Sequence, residues 1–169
     1  MSDTANIHFV GTQDVGPSIQ IASDLAAGQT VIPLTDVDAL NPGDSVGIGT
    51  VISAAFITEH GMDGFWTFAD GERRTLFRRT LVAVDSDSSP PTVTIDVPTR
   101  YPLKTRDLSD IRLETGAISG CGIANLSVST AVDWDAAWDA DRSHAIEFEA
   151  VEDCWMSGVH SWAGPAGDG

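Results

Sequence analysis

Lysine is almost absent from this chain. Lys104 is the only one, and nine basic residues face twenty-five acidic ones in 169 residues, for a net charge near −16. That balance argues against unaided binding to nucleic acid, whose affinity rests on Lys and Arg neutralising phosphates. It equally disfavours anionic polysaccharides and anionic lipid surfaces, and it permits cations and neutral ligands. Cysteine is scarce: two residues, no CxxC pair, hence no disulfide scaffold. No run of about 18 apolar residues occurs, so no membrane span is expected. The start, MSDTANIHFV, has neither a basic region nor an apolar core of a signal peptide. No nucleophile elbow, P-loop, HExxH or dinucleotide fingerprint is present. Sustained helical periodicity is also missing, except over Asp133–Asp141, so the expected class is mostly β.

What the chain does have is a register. Cys121 to Val128 (CGIANLSV) aligns with Cys154 to Ser161 (CWMSGVHS) at a constant offset of 33 residues. Cys121 falls on Cys154, Ile123 on Met156, Asn125 on Gly158 and Leu126 on Val159. Asn and Gly most readily take a left-handed backbone. An apolar residue, a left-handed corner and another apolar residue describe a short strand bending into the next. A corner recurring at a fixed place is the mark of a β-solenoid, whose repeats run roughly 20–50 residues. Stacked positions on adjacent turns lie about 4.8 Å apart, within disulfide range. Cys121 and Cys154 are therefore either a disulfide or a reduced stacked pair.

Elsewhere the strand signals are Asn6–Val10, Ser18–Ala22, Thr30–Leu34, Ser45–Ile52, Leu76–Val84, Thr92–Val97, Ile111–Glu114 and Ala145–Glu149. Pro33 marks an edge or a bulge, and Asn41–Asp44 a turn. A loop-rich cover holds Phe56, His60, Phe65 and Trp66, with a short helix near Ala54–His60. The resulting division gives 1–23 to the first solenoid strands and 24–113 to an inserted antiparallel unit. Residues 114–169 form the later turns, with an acidic, Trp-bearing loop at 133–144.

The segments Phe56–Met62, Arg78–Thr80, Asp96–Leu103, Gly122–Leu126 and Cys154–Trp155 together resemble bacterial right-handed parallel β-helix proteins of the pectate-lyase-like superfamily. In particular they resemble large secreted members with a β-rich insertion near the start of the helix. The resemblance implies a short right-handed parallel β-helix and a carbohydrate-active protein, hydrolase or lyase, placed outside the cell or on its surface. It implies also that the chain is the N-terminal part of a longer protein or a reduced version of one. No catalytic motif of the superfamily can be matched. The alternative class is a structural or adhesion module that oligomerises through an open solenoid end, where unpaired strand edges would need cover.

Candidate chemistry centres on the 133–144 loop. Four carboxylates, Asp133, Asp135, Asp139 and Asp141, could contribute to a Ca²⁺ site, which takes about six to eight oxygens. Trp134 and Trp138 at i, i+4 would share a helical face. They could stack on a sugar ring while Asp133 and Arg142 bond its hydroxyls. The plain alternative is a solvated loop with tryptophans packed inward. Carboxylate pairs for acid–base work are Asp135 with Asp139 or Asp141, and Glu147 with Glu149. Spacings of roughly 5–5.5 Å or 6.5–9.5 Å would mark retention or inversion. His60 and His160 are candidate acids or bases, or hydrogen-bonded structural residues. The resemblance also implies an Arg or Lys that neutralises a uronate, for which Lys104, Arg106 and Arg142 are the candidates. Arg73, Arg74, Arg78 and Arg79 could hold a sugar carboxylate or sulfate, or pair with surrounding acids.

Overall fold

The computed structural model describes residues 7–67, 69–128 and 145–161. The chain is mostly β and divides into two compact units, one of residues 14–115 and one of residues 1–13 with 116–169.

Strand β1 (Ile7–Val10) begins the outer unit, and its partner comes more than a hundred residues later. Before that, the chain builds the 14–115 unit from β2 (Asp14–Val15), β3 (Ile19–Gln20), β4 (Val31–Pro33), β5 (Ser45–Val51), helix α1 (Ala54–Glu59), β6 (Arg73–Asp85), β7 (Thr92–Ile95) and β8 (Asp110–Thr115). Every pairing in this unit is antiparallel. The sheet order is β2–β8–β5–β6–β7–β4, with β3 also on the free side of β8. A single bridge, Ile21 to Leu34, brings the two sheet margins together. Pro33 lies on the outermost strand, where its missing N–H costs no ladder bond.

Alternation along these strands aims Ile32, Val46, Ile48, Leu81, Val93, Ile95 and Ile111 into one buried core, with Leu34 and Leu103. Gly47 and Gly49 in β5 are close-approach positions: a Cβ on Gly47 would sit 2.2 Å from Glu114 Oε1, and one on Gly49 2.6 Å from Arg74 O. The residues 14–23 belong to this unit, which corrects the sequence expectation that placed them on the solenoid. Ile19 and Gln20 pair antiparallel with Ile111 and Asp110. Two-residue strands show no alternation of their own, and here the long partner β8 sets their direction.

The outer unit resumes with β9 (Ile118–Ser119), β10 (Gly122–Ala124) and β11 (Ser127–Val128), then β12 (Ile146–Glu149), β13 (Val151–Glu152), β14 (Trp155–Ser157) and β15 (His160–Ser161). These pair only in parallel. β9 lies on β13, β10 on β14 and β11 on β15, in one register: Ile118 with Val151, Ile123 with Met156, Ser127 with His160. β1 lies on β12, with Ile7 opposite Ile146 and Phe9 opposite Phe148. Two stacked rungs result, β1–β9–β10–β11 and β12–β13–β14–β15. The first is interrupted after Thr12 and rejoined at Gly116, whose carbonyl accepts the Thr12 N–H at 2.9 Å.

The corners of the two rungs coincide. Asn125 and Gly158 have φ of 53° and 60°, and Gly120 and Asp153 have 67° and 50°. The Asn–Gly column read from sequence is thus a left-handed corner in both rungs. Phe9 and Phe148 stack at 4.7 Å with rings 6° from parallel, an arrangement worth ~0.5–1.5 kcal/mol beyond its area.

Candidate functional site

Among the described residues, the outer unit offers one large exposed aromatic surface. Trp155 and Ser157 share one face of β14, and Met156 takes the other, opposite Ile123. The Trp155 indole is half exposed and lies against Gly122 of the neighbouring rung, where a Cβ would meet its Cε2 at 2.2 Å. Gly122 therefore creates the seat on which the indole rests, with its own ladder partner as occupant. This residue was missed as a site candidate in the sequence. The available signal was a Trp facing a Gly at the 33-residue offset.

Glu147 and Glu149 occupy one side of β12, as alternation requires. Glu147 Oε2 lies 2.9 Å from Nε2 of His8 on the adjacent rung. Glu149 stands opposite Val10. His160 is exposed opposite Ser127, and its backbone N–H donates to Leu126 O at 3.0 Å. Cys121 and Cys154 are both free and half-buried. A hydrogen bond with Cys154, then burial, pushes the Cys121 thiol above its ordinary value. Asp133, Trp134, Asp135, Trp138, Asp139, Asp141 and Arg142 lie outside the described residues. Among the described residues, no group of three or more His, Cys, Asp or Glu could hold a metal ion.

In the 14–115 unit, the chemistry gathers around α1. Ser53 caps this short helix, accepting from Phe56 N at 3.0 Å while its own hydroxyl donates to buried Asp107 at 2.5 Å. A six-residue helix is not stable alone; Phe56 and Ile57 hold it by packing on Ile52, Ala69, Met62 and Trp66. His60 at its end is fixed at both ring nitrogens. Nδ1 lies 2.7 Å from the Phe56 carbonyl, which can only accept, so Nδ1 carries a proton. In the neutral ring Nε2 then accepts from the Tyr101 hydroxyl at 2.7 Å. The ring also stacks on Phe56 and Tyr101. Both ring nitrogens are thus engaged by hydrogen bonds within the unit.

Lys104 and Arg106 both engage Glu59, Lys104 at 2.5 Å. These two hydrogen bonds hold the Glu59 carboxyl below its usual range, and the same contact raises Arg106. The four-arginine cluster resolves into local partners. Arg73 bonds Asp110 at 2.6 Å, Arg74 bonds Glu72 at 2.6 Å and Arg78 bonds Glu114 at 2.7 Å. Arg79 donates to Val97 O and lies 5.1 Å above the Phe77 ring. Beside α1, Ile57, Asp63, Trp66, Thr67 and Asp70 line an open recess of about 190 Å³.

This mostly β chain, with two parallel rungs and an antiparallel insertion, is similar in fold to a part of phage tailspike proteins. The gp54 tailspike of Acinetobacter baumannii bacteriophage AP22, solved in complex with A. baumannii capsular saccharide, aligns with 94% of this chain and 24% of its own. The TM-score is 0.52 at 11% identity. The tailspike protein gp49 from Pseudomonas phage LKA1 aligns with 92% of this chain and 30% of its own, with a TM-score of 0.51 at 15% identity. This chain thus spans less than a third of the length of those tailspikes. No family model and no curated protein matches it in sequence. No helix among the described residues is long and apolar enough to cross a membrane.

Proposed function

We propose that this chain is the β-helix portion of a tailspike-like protein, right-handed and of the pectate-lyase-like superfamily, that binds a polysaccharide outside the cell. The observation that carries the reading is the exposed Trp155 indole, seated on Gly122 of the adjacent rung. A flat aromatic on a rigid parallel ladder suits the apolar face of a pyranose. The fold shared with a tailspike solved with a capsular saccharide supports the same class of ligand. The charge of −16 favours uncharged sugars over polyanions.

The 133–144 segment supplies further candidates: Trp134, Trp138, Asp133 and Arg142 for sugar contacts, Asp135, Asp139 and Asp141 for acid–base work or a Ca²⁺ ion. Titration with a panel of bacterial capsular polysaccharides, with and without Ca²⁺, tests the reading. Trp155→Ala is expected to weaken binding at least about tenfold, in line with a lost aromatic contact; binding unchanged by that variant removes the rung face from the site. If the polymer is shortened, reducing ends alone mark a hydrolase, and ultraviolet-absorbing ends a lyase.

A second reading, a non-catalytic adhesion module, is favoured by the outer strands. β12 to β15 pair on one side only among the described residues, and apolar Met156 is 57% exposed there. Another chain would then cover that rung. A tight dimer or trimer in sedimentation, with no glycan bound, selects this second reading.

A further inference from the structure

The recess beside α1 combines an aromatic side chain of the second hydrophobic cluster with two exposed carboxylates. Its aromatic wall, Trp66, is held in place by Phe56 at 6.3 Å and His60 at 5.8 Å between ring centroids. Phe56 and its neighbour Ile57 are buried, so the wall is anchored in the second hydrophobic cluster of the unit. Around it stand two carboxylates. Asp63 accepts the Thr58 hydroxyl through Oδ1 at 2.7 Å, which orients the group and leaves Oδ2 unengaged. Asp70 and the indole N–H of Trp66 have no protein partner among the described residues. Exposed Thr67 and buried Ile57 also line the recess. Gly61, Gly64 and Gly71 all have positive φ, at 65°, 78° and 76°. Nothing lies within 4 Å of where their Cβ atoms would be. They serve the sharp turns of this loop, and no side chain there narrows the recess.

We propose that this recess is a second saccharide subsite, on the inserted unit, that takes one uncharged pyranose residue. The indole offers its surface to the apolar C–H face of the ring, and its N–H donates to a ring hydroxyl. Asp63 Oδ2 and Asp70 accept hydroxyl protons in charge-assisted bonds, the stronger kind. The sign of charge selects the ligand. Two carboxylates, with no unpaired Arg or Lys among the lining residues, repel a uronate or a sulfated sugar and accept a neutral one. The inference rests on the saccharide-binding reading of the chain and assigns it a place of contact separate from Trp155.

Five tryptophans give five indole resonances in a proton–nitrogen correlation spectrum of the whole chain. Trp66→Phe and Trp155→Ala assign two of them. The protein is titrated with maltohexaose, cellohexaose and chitohexaose as neutral probes, and with oligogalacturonate as an acidic one. At least one neutral probe is expected to shift the Trp66 resonance. Asp70→Asn, an exposed substitution that leaves packing intact, should weaken that response about tenfold. Trp155→Ala should leave it unchanged. A Trp66 resonance that stays fixed with every neutral probe overturns the subsite, as does a stronger response to oligogalacturonate. If Trp155 responds while Trp66 does not, the subsite fails alone. If neither responds to these probes or to capsular polysaccharide, both readings fail together.

Discussion

Gly158 carries a constraint of two kinds. Its φ of 60° costs an L-residue roughly 1–2 kcal/mol, and a Cβ there would stand 2.7 Å from Oδ1 of Asn125 directly across the ladder. Asn125 holds the same corner with a side chain because its rung partner is this glycine. Gly158→Ala is therefore expected to destabilise the outer unit by about 2 kcal/mol, measured as a lower denaturant midpoint at unchanged slope. Asn125→Gly, which keeps the corner conformation, should change stability by less than about 1 kcal/mol. Equal effects from the two substitutions would show that the column is not a corner. The neighbouring cysteines are free in the fold, and denaturation without reductant should expose two titratable thiols per chain. The Asn–Gly register was legible in the sequence because both residues have a physical reason to sit at a left-handed corner. Trp155 was not legible as a site residue, because its seat is created by Gly122 of another rung.

At the scale of elements, α1 is held by polar contacts at both ends. Glu59 receives hydrogen bonds from Lys104 and Arg106, which depress its carboxyl below the ordinary value near 4.5. Asp24 is depressed by the backbone and hydroxyl of Thr105, below the ordinary value near 3.8. A carboxyl with a depressed folded value favours the native state wherever it is ionised. That contribution is complete above the unfolded value and is lost as pH falls through the folded one. Glu59→Gln should thus lower the urea midpoint near neutral pH, and the difference from the parent should shrink as pH falls below the ordinary carboxyl value and through the depressed one. A difference that persists in acid would mean the substitution acts through packing. Asp110 is held by more contacts, being buried and bonded to Arg73, Arg112 and Ser18. Asp110→Ala should cost about 3 kcal/mol by leaving two guanidinium groups unpaired, read from the same denaturation curves. The strands β5, β6 and β7 were readable from alternation and turn residues. β2 was not, since two residues carry no period; β3 was read as a strand within Ser18–Ala22, but its place beside β8 shows only in the pairing.

For the whole molecule, the organisation follows from where the chain leaves the first rung and where it comes back. Thr12 and Gly116 are hydrogen-bonded to each other within the outer unit, so the rung continues across the insertion almost as if it were absent. Within the inserted unit the ends also meet: Asp14 is the ladder partner of Thr115, and Val15 that of Glu114. A segment whose first and last residues pair needs no other part of the chain to bring them together. Its main core of Ile32, Leu34, Ile48, Leu81, Val93, Ile95, Leu103 and Ile111 is drawn entirely from residues 14–115. At about 100 residues it falls in the range where single domains fold on their own. A fragment of residues 14–115 is therefore expected to unfold in a single cooperative transition and to give a dispersed amide spectrum. It should also retain the Trp66 response to neutral oligosaccharides while lacking any response that depends on Trp155. A fragment that is soluble but shows no cooperative transition would mean that the paired ends and this core are not sufficient, and that the insertion requires the solenoid rungs to fold.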